Sequence, residues 1–165
     1  MKKRSDFHKV IIGRAEELSL VDYGLVSIPA KTDTGAYRSA IHAANIRLSK
    51  DGQLSFELFK NHPMFDGLAV KVSTDKFKEV SVANSFGHKE QRYEVKLRTK
   101  LGPKVFYASY TLADRSKKIY PILIGRKMLN DRFLVDTFET SVNRVELKQK
   151  YGVSFPKDEE EEQES

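Results

Sequence analysis

A chain of 165 residues is long enough to bury one core and too short for two large domains. It holds no cysteine, which excludes a disulfide framework, a thiolate zinc site and a cysteine nucleophile. The formal net charge of +6 arises from 29 basic and 23 acidic side chains, but six of those acids sit in the run Asp158 to Glu164, so the rest of the chain sets 29 bases against 17 acids. A body that basic attracts polyanions: nucleic acid, anionic headgroups or an acidic peptide.

In chain order, Val10 to Gly13 and Leu18 to Val21 are short apolar runs ended by polar or glycine punctuation, which suits strands. The basic N-terminus runs into Gly13-Arg14 and Glu16-Glu17, so it does not read as a signal peptide. Nothing approaches the roughly 20 apolar residues of a membrane helix, and a cytoplasmic protein is the expectation. Tyr23-Gly24 is a turn, and Leu25 to Ile28, Pro29, Ala30 and Thr32 lead as a strand into Asp33-Thr34-Gly35. There a carboxylate is set on a tight turn, where glycine adds backbone freedom and the threonine hydroxyl can lock the loop.

Ser39 to Leu48 alternates as a half-buried strand, and Asp51-Gly52 turns it into a hairpin with Leu54 to Leu58. Further strands are expected at Leu68 to Val72, Lys78 to Val82, Arg92 to Arg98 and Val105 to Leu112, separated by turns at Gly67, Gly87 and Gly102-Pro103. Ile119 to Gly125 reads as a buried strand, Arg126 to Asn130 as one helical turn, Phe133 to Asp136 as another strand and Val142 to Leu147 as a candidate terminal one. About ten short strands with regular turns predict a mainly antiparallel barrel or sandwich. No internal repeat stands out, and Asp-Thr-Gly occurs once. Residues 151–165 are expected to form a disordered acidic tail beyond a domain of residues 1–150, shielding the basic surface until a substrate displaces it.

Asp33-Thr34-Gly35-Ala36 after a strand, paired late in the chain with Ile122-Leu123-Ile124-Gly125-Arg126, resembles the retropepsin-like aspartic proteases. The whole pattern is similar to a bacterial family labelled ATP-dependent zinc proteases and associated with ATP-grasp enzymes that ligate glutamate. The resemblance includes Ala30 to Ala43 with His42, Glu90-Gln91-Arg92-Tyr93, Leu112-Ala113-Asp114-Arg115 and Phe133-Leu134-Val135-Asp136. It implies a closed barrel of short antiparallel strands with one or two short helices, and an aspartic-type peptidase acting on peptide or isopeptide bonds.

Water activation without a covalent intermediate takes two carboxylates sharing a proton, titrating as one unit. One Asp-Thr-Gly per chain then requires a homodimer in which Asp33 meets its symmetry mate. Asp136-Thr137-Phe138 is the only lookalike, and Phe138 lacks the backbone freedom of glycine.

Asp33, Thr34 and Gly35 are therefore the expected catalytic residues. Around them, Lys31 is a candidate for holding a substrate carboxylate or lowering the acid's pKa, His42 for proton transfer or metal ligation, Glu90 and Arg92 for substrate contact or a cross-strand ion pair, and Gly125 and Arg126 for bracing the Asp loop. The zinc of the label finds no His-Glu-x-x-His pair, and ATP finds no phosphate loop, so no cofactor is expected and any ATP dependence belongs to a partner. The expected substrate is a glutamate-rich peptide, with neither membrane nor nucleic acid among the partners. The rival readings are a non-catalytic binding module using the basic surface and a zinc-dependent hydrolase.

Overall fold

Alternation of apolar and polar side chains becomes strand after strand in the computed structural model, which describes residues 8–84 and 86–151. Eleven strands are seen among them: β1 (Val10–Ile12), β2 (Ala15–Leu20), β3 (Leu25–Thr32), β4 (Ser39–Leu48), β5 (Leu54–Leu58), β6 (Val70–Thr74), β7 (Lys78–Ala83), β8 (Lys89–Leu101), β9 (Lys104–Ala113), β10 (Ile122–Ile124) and β11 (Phe133–Val135). Two α-helices, α1 (Arg126–Leu129) and α2 (Arg144–Tyr151), and two 3-10 turns, Val21–Tyr23 and Pro63–Phe65, complete the set among the described residues. The fold is mainly β, as the sequence predicts.

Six strands close on themselves in the order β10, β3, β2, β8, β9, β4, with β4 pairing back to β10. This ring is not a regular barrel. The long strands change partners along their length, so β4 pairs with β10 and β9 through Ser39–His42 and then with β5 from Ala43 onward. Likewise β8 pairs with β7 up to Glu94 and with β9 from Glu94 to Leu101. The expectation of short antiparallel strands holds only in the main, because β3 with β10, β4 with β9 and β1 with β11 are parallel. Parallel neighbours need long connections, and no local turn signal announces them.

Every second residue of β8 from Val95 to Leu101 points inward, meeting Leu18, Leu20, Ile28, Ile41, Tyr110, Ile122 and Ile124 in one apolar core. The predicted hairpin turn is present, with Gly52 at φ 85° and Gly102 at φ 55° in the β8–β9 turn. The chain after Val142 departs from the expected strand: it is helix α2, whose first turn is capped by the Asn143 side chain accepting from the Val145 and Glu146 N–H groups. Residues 152–165, including the acidic run expected as a tail, lie outside the described residues. No helix among the described residues is long and apolar enough to cross a membrane.

His62 is buried and bonded through both ring nitrogens, to the Lys118 carbonyl and the Met64 N–H. Burial, with the neighbouring His42 and Arg115, pushes its pKa down to about 4. The unfolded imidazole takes a proton below about pH 6.5 and the folded one does not, so this residue withdraws stability as pH falls from 6.5 towards 4. Urea unfolding at pH 7 and pH 5 is expected to show a loss of about 2 kcal/mol through His62, absent from the His62→Gln variant.

Candidate functional site

Asp33 stands where β3 leaves the ring. The amide N–H of Asp33 donates to the Ile124 carbonyl at 2.9 Å, extending the parallel β3–β10 pairing by one residue. Its carboxylate Oδ1 accepts the Gly35 N–H at 3.1 Å, and its carbonyl accepts the Ala36 N–H at 3.3 Å. Thr34 and Gly35 are exposed at the tip, and Asp33 is half-buried. Gly35 does not have a positive φ, so its expected role in supplying left-handed backbone is not the one it plays. A Cβ there would meet the Asp33 Oδ1 at 3.3 Å, crowding the carboxylate.

The turn is clamped from the far end of the chain. Arg126 Nη1 donates to the Thr34 carbonyl at 3.0 Å, and the N–H groups of Arg126 and Lys127 donate to the carbonyls of Ala36 and Tyr37. Gly125 permits this approach, since a Cβ on it would lie 2.5 Å from the backbone C and O of Arg38. Its N–H donates to Ser39 Oγ at 2.9 Å. Beyond the turn, Glu94 is buried and receives Arg38 Nη1 at 2.5 Å and Lys127 Nζ at 2.9 Å. Burial alone would raise its pKa, but the hydrogen bonds from Lys127 and Arg38 outweigh that and hold the carboxyl below the usual range. Strand β8, the Asp loop and α1 are thereby tied together.

The other candidates gather elsewhere. His42, Glu90 and Arg92 line a cavity of about 520 Å³ with Asp114 and Ser116, which Asp33 does not line. Glu90 and Arg92 form an ion pair at 2.9 Å. Buried His42 accepts the Arg115 N–H on Nδ1 at 2.8 Å, so its Nε2 carries the proton and donates to the Lys60 carbonyl at 2.7 Å. Lys31 lines a different cavity, with Arg14 and Arg144. The zinc in the family label does not fit this donor set. His42 and His62, with ring centroids 5.5 Å apart, both spend their nitrogens on backbone groups, and no three metal-binding side chains converge among the described residues.

A second Asp turn, set aside in the sequence because Phe138 stands in place of glycine, repeats most of the bonds of the first. Asp136 N–H donates to the Ile12 carbonyl, Phe138 N–H donates to Asp136 Oδ1 at 3.0 Å, and Glu139 N–H donates to the Asp136 carbonyl. Arg14 Nη1 donates to the carbonyls of Thr137 and Phe138, as Arg126 does to Thr34, and Arg14 N–H donates to the Glu139 carbonyl, as Arg126 N–H does to Ala36. A Cβ on Gly13 would lie 2.2 Å from the Glu139 oxygen. The two parallel pairs, β1 with β11 and β10 with β3, thus form equivalent units, each with an apolar triplet followed by Gly-Arg in one strand and an Asp-Thr turn after the other. The signal was Val10-Ile11-Ile12-Gly13-Arg14 against Ile122-Leu123-Ile124-Gly125-Arg126. The objection that Phe138 cannot replace glycine falls, because neither Phe138 nor Gly35 has a positive φ.

A profile described as RimB-like, retropepsin-like aspartic endopeptidase RimB, matches residues 11–146. The chain belongs to the RimB-like family of retropepsin-like aspartic endopeptidases. Its curated relatives include proteins named probable alpha-L-glutamate ligase from Shewanella halifaxensis, 32% identical over 159 residues, and from Desulfotalea psychrophila, 32% identical over 160. Those matches cover 91% and 93% of this chain but 34% of each relative, so the chain spans about a third of their length. A Legionella pneumophila protein of unknown function has a similar crystal structure, at a TM-score of 0.64 and 29% identity, over 81% of this chain and 97% of that one.

Proposed function

We propose that this RimB-like chain is an aspartic-type endopeptidase, homodimeric, in which Asp33 and its symmetry mate activate water against a peptide or isopeptide bond. One carboxylate takes a proton from the attacking water, and the other, protonated, gives its proton to the leaving amine nitrogen. The observation that carries the reading is the clamped Asp33 turn, which fixes a carboxylate by an N–H on Oδ1 and by Gly125 and Arg126 behind it. Its tip, Thr34 and Gly35, is open to a second copy. A glutamate-rich substrate is supported by the excess of basic side chains over the chain before residue 158 and by kinship with a third of proteins named glutamate ligases, with which the chain would share a pathway.

The test is hydrolysis of a glutamate-rich peptide as a function of protein concentration. A specific activity that rises with concentration as dimers form supports the reading. Salt-sensitive binding with no cleavage of any peptide would replace it with a binding module on the same fold.

The repeated turn favours a second reading, that Asp136 of the same chain supplies the other carboxylate. Activity independent of dimer formation and lost in Asp136→Asn would establish it.

A further inference from the structure

Lys31, two residues before Asp33, lines a cavity of about 560 Å³ between β2, β3 and the segment that leads into α2. Arg14 and Arg144 line it as well, and no carboxylate among the described residues does. The Arg14 guanidinium is fixed to the wall by its bonds to the Thr137 and Phe138 carbonyls at 3.1 and 2.8 Å. Buried Ala15, Tyr120 and Val142 form an apolar floor, with Ile119 packed among them. The nearest acid on β2, Glu16, is turned to the Gly13 N–H and Ser141 Oγ, both at 2.6 Å, and does not line the cavity. Three cations around one concavity make a focused positive field that favours an anion with several carboxylates.

The chain carries such an anion. Helix α2 takes the backbone from Arg144, at the cavity, to Tyr151, about 11 Å away along the axis. The seven residues from Gly152 to Asp158 span up to about 23 Å when extended, so the six acids of the run Asp158 to Glu164 lie within reach of the cavity.

We propose that the cavity lined by Arg14, Lys31 and Arg144 is a carboxylate-binding site and that its occupant is the chain's own acidic run, Asp158 to Glu164. A run seated there places its side chains beside the strand that ends in Asp33, where it competes in cis with an acidic peptide. That competitive effect rests on the peptidase reading; the seat rests on charge and reach alone.

Because the chain has no cysteine, Glu162→Cys in the full-length protein gives a single site for a nitroxide label. At low salt the amide signals of Lys31, Asn143 and Val145 are expected to lose at least about half their intensity relative to the reduced label. They should recover in about 0.5 M salt, where screening shortens to a few ångströms, in the double variant Lys31→Glu with Arg144→Glu, and when the remaining acids of the run become amides. Loss spread evenly over the basic surface, or unchanged by these substitutions, would overturn the proposal. So would hexaglutamate shifting those amides in a protein whose label leaves them untouched, since the site would then take a foreign peptide and not the tail. The measurement needs no turnover and reads the same in Asp33→Asn.

Discussion

Asp33→Asn is expected to lower kcat/KM on a glutamate-rich peptide by at least about 1,000-fold, the loss of a positioned acid–base group that no neighbour replaces. The asparagine carbonyl still accepts the Gly35 N–H, and the Ile124, Arg126 and Gly125 contacts are made by backbone atoms that the substitution leaves alone. The melting temperature should therefore be that of the parent, and on the homodimer reading so should the association state. Retained turnover would remove Asp33 from the chemistry. Asp136→Asn is the paired measurement, because its turn has most of the same bonds: on the homodimer reading it keeps activity, and on the single-chain reading it fails as completely as Asp33→Asn. Mixing active chains with Asp33→Asn chains adds a third readout, since shared sites lose activity faster than active chains are diluted.

Gly125→Ala is expected to cost about 2–4 kcal/mol, because the new methyl meets backbone of Arg38 and Tyr37 at 2.5 to 2.9 Å and no side-chain rotation relieves it. Separating β10 from the Asp loop also lengthens the bonds from Arg126 and Lys127 to Ala36 and Tyr37, so the folded fraction should lose kcat as well. Gly13→Ala meets backbone at 2.2 Å in the equivalent unit and should cost a similar amount. On the homodimer reading its folded fraction keeps kcat. Denaturant unfolding combined with kcat per folded protein separates the two outcomes.

The strands were legible wherever one face is buried, because burial imposes the period of two seen in Val95 to Leu101. The turns at Gly52 and Gly102 were legible because their backbone needs glycine. The Asp33 turn and its Gly125 partner were legible as motifs, though the reason for Gly35 was not. Helix α2 was misread because none of its residues is buried and its first apolar residues, Val145 and Leu147, alternate with Arg144 and Glu146 as they would in a strand. Ring closure and the three parallel pairings join residues far apart, which local patterns do not encode. The placement of His42 depended on backbone groups at Lys60 and Arg115, and nothing in the residue names records which nitrogens are already bonded. The second Asp turn was set aside over Phe138, and the repeat behind it was hidden because the two halves of the chain exchange partners: Gly13 precedes Asp33 by 20 residues and Gly125 precedes Asp136 by 11, yet each Gly-Arg clamps the aspartate of the other half.

That exchange has a consequence for synthesis. The Asp33 turn is closed by residues about 90 positions later, and the Asp136 turn by residues more than 120 positions earlier, so both depend on late, long-range contacts. A nascent chain that has emerged from the ribosome only as far as β9 carries Asp-Thr-Gly with its local Gly35 and Ala36 bonds but without the clamp from β10 and α1. On the peptidase reading, the polypeptide acquires hydrolytic competence only when β10 and α1 have docked on the Asp33 turn.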